Sequence, residues 1–285
     1  MRFVPITAAL LACAAGFAHA DILYGVTRTQ LVRIDTNNPG IVELVGNHGL
    51  ALTTSGTKSH GAFSLTYDRD SNKLFGLHYE YITATGNFDQ RLVSYDLNSG
   101  LGTVEAFLGD SATAGFFESL EYVDSQSSLV VSSGLTVADG TYSQAFYTMA
   151  SDGTRSFLSA NGRDNDYAVY DSTRDVFYSI DPNGVGQLTA VDLNTGTNID
   201  VGSIDPGFAA LAYSESDDAI YSYDIWSQQL VRVDSFRGVD PLTITDLGLV
   251  LAEGDLQGLA FVVPSPATVV MLGVGGLLAG FRRKR

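Results

Sequence analysis

"LVRIDTNNPG" at residues 31–40, "LVSYDLNSG" at 92–100, "LTAVDLNTG" at 188–196 and "LVRVDSFRG" at 230–238 are four copies of one pattern. Each runs as a short strand of alternating character, then an Asp, then a turn carrying Asn, Ser or Gly. A period of two marks a strand with one buried face, and Asp, Asn and Gly supply the chemistry of a tight antiparallel turn. A weaker copy, "FYTMASDGT", begins at Phe146, and a further strand follows each turn, as in "IVELVG" from Ile41 and "LTITDLG" from Leu242. The repeated acids Asp35, Asp96, Asp192 and Asp234 read as turn-formers that bond their own backbone rather than as ligands.

A second pattern precedes most copies: "LTYDRDSNKLFGL" at 65–77, "LEYVDSQSSLVVS" at 120–132, "AVYDSTRDVFYSI" at 168–180 and "LAYSESDDAIYSY" at 211–223. All four have the form apolar strand, acidic turn, apolar strand. Their aromatic anchors, Tyr67, Tyr122, Tyr170 and Tyr213, lie about 43–55 residues apart, the length of one four-stranded propeller blade. The two ends of the segment complete the count. "ILYGVTRTQLVRIDTNNPGIVELVG" from Ile22 lacks a first strand, and "LQGLAFV" from Leu256 is a first strand with nothing after it. Together they make one blade, closing a ring and removing its open sheet edges. The expectation is an all-β fold, a β-propeller of five four-stranded blades over 21–262, with an open β-sandwich as the alternative. No long amphipathic helix is visible.

The chain has 285 residues and a formal charge of −16. All 32 acids lie between Asp21 and Val262, against eleven basic residues there, a balance that repels phosphate backbones and argues against nucleic acid as a partner. Residues 1–20, "MRFVPITAALLACAAGFAHA", have a basic start at Arg2, an apolar run and an Ala-x-Ala ending at Ala18 and Ala20. This is a Sec-type signal peptide with cleavage expected before Asp21. The only cysteine, Cys13, lies within it, so the mature chain is expected to fold without disulfides.

After Val262 the composition changes. Val263, Pro264, Ser265 and Pro266 are followed by an apolar, Gly-rich stretch from Ala267 to Phe281 and then by Arg282, Arg283, Lys284 and Arg285. With a small addition from its flanks such a stretch can sit in an inner membrane, the basic cluster stopping transfer on the cytoplasmic side. The order of proline motif, short span and basic cluster resembles the PEP-CTERM sorting domain of exported proteins of Gram-negative bacteria. Ser265 stands where the family pattern has Glu. The resemblance implies recognition and cleavage near the motif by an exosortase, transient anchoring, and delivery to the cell surface or an exopolysaccharide matrix. The repeat body resembles YncE-like or WD40-like propeller repeats of bacterial secreted proteins, in blade pattern alone, and such a fold does not fix function.

The middle of the chain contains no nucleophile elbow, zinc-protease motif, phosphate loop or EF-hand. His48, His60 and His78, the histidines outside the leader, have no chelating spacing and read as surface or loop-packing residues. Aligned on the anchors, Phe63, Glu118, Asp166, Ala209 and Gln257 share one position, and Asp164 and Asp255 share another two residues earlier. Glu118, Asp164, Asp166 and Asp255 could therefore converge at one mouth of the channel, where carboxylates suit Ca2+; the bland alternative places them on a solvated rim. Tyr79, Tyr81, Phe88 and Trp226 fall where loops are expected, and exposed rings of this kind stack on sugars. Two functional classes follow. One is a non-catalytic binding or structural module of the surface or matrix, contacting exopolysaccharide or surface proteins and needing no cofactor. The other is a secreted propeller hydrolase, lactonase-like or glycan-cleaving, with its site in the central channel.

Overall fold

The alternating repeats build twenty strands in five separate four-stranded antiparallel sheets among the described residues. The computed structural model describes residues 22–263, apart from 51–56, 137–141, 162, 164–165, 182–185, 206 and 238–240. Blade I contains β1 (Ile22–Val26), β2 (Gln30–Ile34), β3 (Val42–Asn47) and, as its innermost strand, β20 (Gly258–Val262). Blade II is β4 (Thr57–Asp68), β5 (Lys73–Ile82), β6 (Asn87–Tyr95) and β7 (Gly102–Asp110). Blade III is β8 (Phe116–Val123), β9 (Ser128–Thr136), β10 (Tyr142–Met149) and β11 (Arg155–Asn161). Blade IV is β12 (Tyr167–Asp171), β13 (Val176–Asp181), β14 (Gln187–Val191) and β15 (Asn198–Ser203). Blade V is β16 (Phe208–Ser214), β17 (Ala219–Asp224), β18 (Gln229–Asp234) and β19 (Thr243–Leu249). One helical turn, α1 (Ser111–Ala114), links blades II and III.

The expected closure is present. β20 pairs antiparallel with β1 from Ile22↔Val262 to Val26↔Gly258, and the inner strands pack in the circular order β20, β4, β8, β12, β16 and back to β20. A five-bladed β-propeller is therefore the fold. It has five apolar wedges, one between each pair of neighbouring blades. Each inner strand sends its anchor aromatic toward the preceding blade: Tyr67 into the wedge between I and II, Tyr122 between II and III, Tyr170 between III and IV, Tyr213 between IV and V. Phe261 fills the same position between V and I. A fully buried aromatic of this size contributes about 1.5–3 kcal/mol.

The repeated turns behave as expected with one exception. Asp35 Oδ1 accepts Asn37 N–H at 2.9 Å, Asp96 Oδ1 accepts Ser99 N–H at 2.8 Å, and Asp192 Oδ1 accepts Asn194 N–H at 2.8 Å. Asp234 instead accepts from the Arg232 guanidinium at 2.9 Å, because that copy has Phe236 buried in the wedge between blades IV and V in place of the Asn-Ser-Gly turn. The turn glycines have a second role. Gly196 has φ 72°, and a Cβ there would lie 2.3 Å from the Ala160 carbonyl of blade III; Gly100, at φ 73°, meets the backbone of Gly46 of blade I. Thus Gly100 and Gly196 mark where the outer turns of blades II and IV rest on the outer strands of blades I and III.

The signal-peptide residues Ala18, Ala20 and Asp21, the motif residues Pro264, Ser265 and Pro266, and the cluster Arg282, Arg283, Lys284 and Arg285 lie outside the described residues; Val263 is the last described. No helix among the described residues is long and apolar enough to cross a membrane.

Candidate functional site: the two mouths of the channel

All five inner strands run the same way along the axis, so the channel has a start end and a turn end. At the turn end, the position two residues beyond the anchor holds Arg69, Asp124, Ser172 and Glu215 in blades II to V. Arg69 reaches from blade II across this mouth. Its guanidinium pairs with Glu215 of blade V, donates to Ser172 Oγ of blade IV at 3.2 Å and lies 3.7 Å from Asp124 of blade III. Ser172 Oγ also donates to Glu215. Burial raises the Glu215 carboxyl, but the bonds from Arg69 and Ser172 outweigh it and the net shift is downward. Burial raises Asp124 and Arg69 does not reverse this. The arginine's charge is therefore committed to Glu215.

Behind this closure the axis holds a cavity of about 50 Å3 lined by all five inner strands, room for a few waters. Glu121 is buried within it. Thr66 Oγ1 donates to Glu121 Oε2 at 3.3 Å, while the same hydroxyl accepts Tyr122 N–H at 2.8 Å. Burial pushes the Glu121 carboxyl well above its usual range, against the pull of bonds from Thr66 and the Tyr170 backbone. Burial here favours the protonated carboxyl over the charged one.

At the start end β4 carries a bulge between Phe63 and Leu65, with Ser64 at φ 57°. The bulge aims Ser64 Oγ at blade III, where it donates to Leu120 O at 3.1 Å and accepts Leu120 N–H at 3.0 Å. It also presents Phe63 to the mouth. The Phe63 ring stacks on Tyr167 at 6.1 Å and meets Tyr79 edge-on at 5.3 Å; Tyr79 stacks in turn on Phe116 at 4.8 Å. Phe63, Phe116 and Tyr167 are half-buried. Burial first, then the charges of Glu118 and Asp166 with the Tyr167 ring between them in weight, push the Tyr79 hydroxyl up, which places both carboxylates beside this cluster. Tyr167 is itself pushed up to about 12 by burial and by Asp166.

Of the four acids singled out in the sequence, Glu118 and Asp166 both act on the Tyr79 hydroxyl. Glu118 is buried and accepts from Gln144 Nε2. Asp255 is exposed beside Tyr223, whose hydroxyl is 3.5 Å away, and Asp164 lies outside the described residues. No three of His, Cys, Asp and Glu among the described residues are grouped so as to hold a metal ion.

The aromatic expectation needs correction. Tyr79, Tyr81 and Phe88 lie in strands β5 and β6, because blade II's strands extend beyond those of the other blades, and Tyr79 is fully buried. Trp226 does lie in a turn and is 67% exposed. Of the histidines, His48 packs from the connection after β3 as expected, whereas His78 lies in strand β5. His48 and His78 are buried between blades I and II with their rings 6.2 Å apart, and His48 Nε2 lies 2.8 Å from Arg28 O. Sequence reasoning missed Arg69, Glu121 and this pair. The alignment on the anchors contained the first two, at positions two beyond and one before the aromatic.

No family model matches the chain, and no curated protein matches it. Among solved structures, a chain of a nidogen/laminin complex has a TM-score of 0.50 at 9% identity, covering 86% of this chain and 99% of that one. A structural-genomics protein of unknown function from Bacteroides thetaiotaomicron VPI-5482 has a TM-score of 0.49 at 11% identity, covering 82% and 61%. TolB from Acinetobacter baumannii has 0.44 at 12% identity, covering 89% and 70%. At such identity the first likeness shows the propeller fold alone, and the other two carry no further argument.

Proposed function

We propose that the chain is an exported, non-catalytic binding or structural protein of the cell surface or exopolysaccharide matrix, sorted through its C-terminal PEP-CTERM-like tail by an exosortase. The observation that supports a binding role over the channel hydrolase is the size of the axial cavity. At about 50 Å3, the described cavity beneath Arg69 at the turn end is far below the ~300–1,000 Å3 of pockets that enclose a substrate. This favours recognition on the face at the start end, where half-buried rings lie beside Glu118 and Asp166. The export half of the proposal rests on the two chain ends read from sequence. Mass spectrometry of the protein recovered from its host's envelope and medium tests it. A mature form from Asp21 to near Pro266 is the expected result; an intact tail in the membrane fraction overturns the sorting step. Incubation with the host's own polysaccharide should leave the polymer's length unchanged, and new reducing ends would reinstate the hydrolase.

A further inference from the structure

Trp226 is the only tryptophan in the chain, and it is exposed. Its position is built rather than loose. Asp224 Oδ1 accepts Trp226 N–H at 3.0 Å and Asp224 Oδ2 accepts from Ser227, fixing the β17–β18 turn. Ile225 N–H donates to Gly207 O at 3.0 Å, and Asp205 Oδ1 accepts Gly207 N–H at 2.8 Å, fixing the segment beneath it. The indole lies against Gly207 so closely that a Cβ there would come within 2.8 Å of its ring. One face of the ring is thus seated on backbone, while the side chain as a whole remains 67% exposed.

Asp224 and Ser227, which flank the Trp226 turn, line an open cleft of about 640 Å3 between blades IV and V, of which Trp226 itself is a neighbour rather than a wall, a volume suited to a small ligand. Asp205, Asp224, Ser227, Gln229 and Asp246 supply its polar lining, with no Lys, Arg or His among the described lining residues. We infer that Trp226 and this cleft form a binding site for a neutral, β-linked glycan. A pyranose with equatorial hydroxyls has an apolar C–H face that lies flat on an indole and a rim of hydroxyls that donate to carboxylates and exchange hydrogen bonds with an amide and a hydroxyl. Asp205 and Asp224 are already aimed by their turn bonds and keep further acceptor capacity. Asp246, exposed on β19, is placed to accept from the sugar. The all-acidic lining repels uronate or sulfated chains. A metal ion is not supported, since no three acids here are close enough to ligate one.

The inference rests on the binding-module reading but not on sorting, so failed tail processing would leave it standing. The single tryptophan makes the test site-specific. The full chain, in a non-glycosidic detergent, is titrated with cellotetraose while Trp226 emission and acrylamide quenching are followed. The expected result is a saturable blue shift with the quenching constant falling roughly twofold. Asp246→Ala should weaken binding about tenfold while leaving the unliganded spectrum unchanged, and Trp226→Ala should abolish the heat of binding in calorimetry. Unchanged emission and quenching with cellotetraose overturns the inference, as does an Asp246→Ala variant that titrates like the parent. A response to tetramethylammonium chloride without one to the sugar also overturns it and identifies a cation site instead.

Discussion

The two ends of the channel are made from the same five strands yet are built on opposite principles. At the turn end the repeat dictates structure: acids accept from their own turn backbones and one arginine ties blades III, IV and V to blade II. At the start end the inner strands β4, β8 and β16 bulge at near-corresponding positions, but the side chains there differ from blade to blade, and rings from blades II, III and IV meet beside two carboxylates. Repetition therefore fixes the acids and turns of one face, while the side chains at the other vary from blade to blade.

The largest blow to the turn end should come from Gly196→Ala, which forces a side chain into a left-handed residue and against the Ala160 carbonyl. A loss of about 3 kcal/mol, or roughly 6–12 °C in Tm, is expected by calorimetry. A loss under about 1 kcal/mol would mean the outer turns do not bear on their neighbours.

Acid should act on the start end. His78, buried next to His48, is lowered from 6.5 to about 4, chiefly by burial and then by the charges of His48 and Arg91, against Glu80. Burial likewise lowers His48. Below 6.5 the unfolded chain takes up protons that the fold refuses, so this stability is fully present above pH 6.5 and is lost as pH falls toward 4. About 2–3 kcal/mol is at stake. Urea unfolding at several pH values should show His78→Gln losing less than the parent over that window, and parallel curves would remove the pair from the account.

Arg69→Met sharpens the contrast with a smaller effect. Its partners are about a third exposed, so about 1 kcal/mol is expected, with the gap to the parent narrowing in high salt. Glycan binding at the start face should be unaltered; a change there would show that the two ends are coupled.

Glu121→Gln should have the least effect on stability. The folded carboxyl holds its proton to higher pH than the unfolded one, whose value is 4.5. The fold's advantage is therefore complete below 4.5 and shrinks as pH rises toward the folded value. The amide should equal or exceed the parent near neutrality, by up to about 1 kcal/mol, and flatten that part of the pH curve.

The ring was legible because each blade repeats an aromatic, an acid and a turn at near-constant spacing, and because Leu256 onward supplies the strand that Ile22 lacks. The site was only half legible. Glu118 and Asp166 both bear on Tyr79 because the position four before the anchor lies at the start mouth in blades III and IV. Tyr79 was misplaced because blade II extends its strands beyond the repeat, and no periodicity announces how long a strand continues. His48 and His78 meet across a blade boundary, a contact between a connection and a strand that sequence spacing does not encode. Arg69 was hidden in an acidic turn, where a lone base resembles solvated surface until the five turns are brought round one axis.

The central claim is that pairing of β1 with β20 closes the ring and so creates two distinct faces. Hydrogen exchange followed by mass spectrometry on peptides covering Ile22–Val26 and Gly258–Val262 tests it most directly. Closure predicts that both segments exchange together and as slowly as β16, which lies wholly within blade V. Rapid exchange of Gly258–Val262 while β16 stays protected would mean an open ring and would contradict the account.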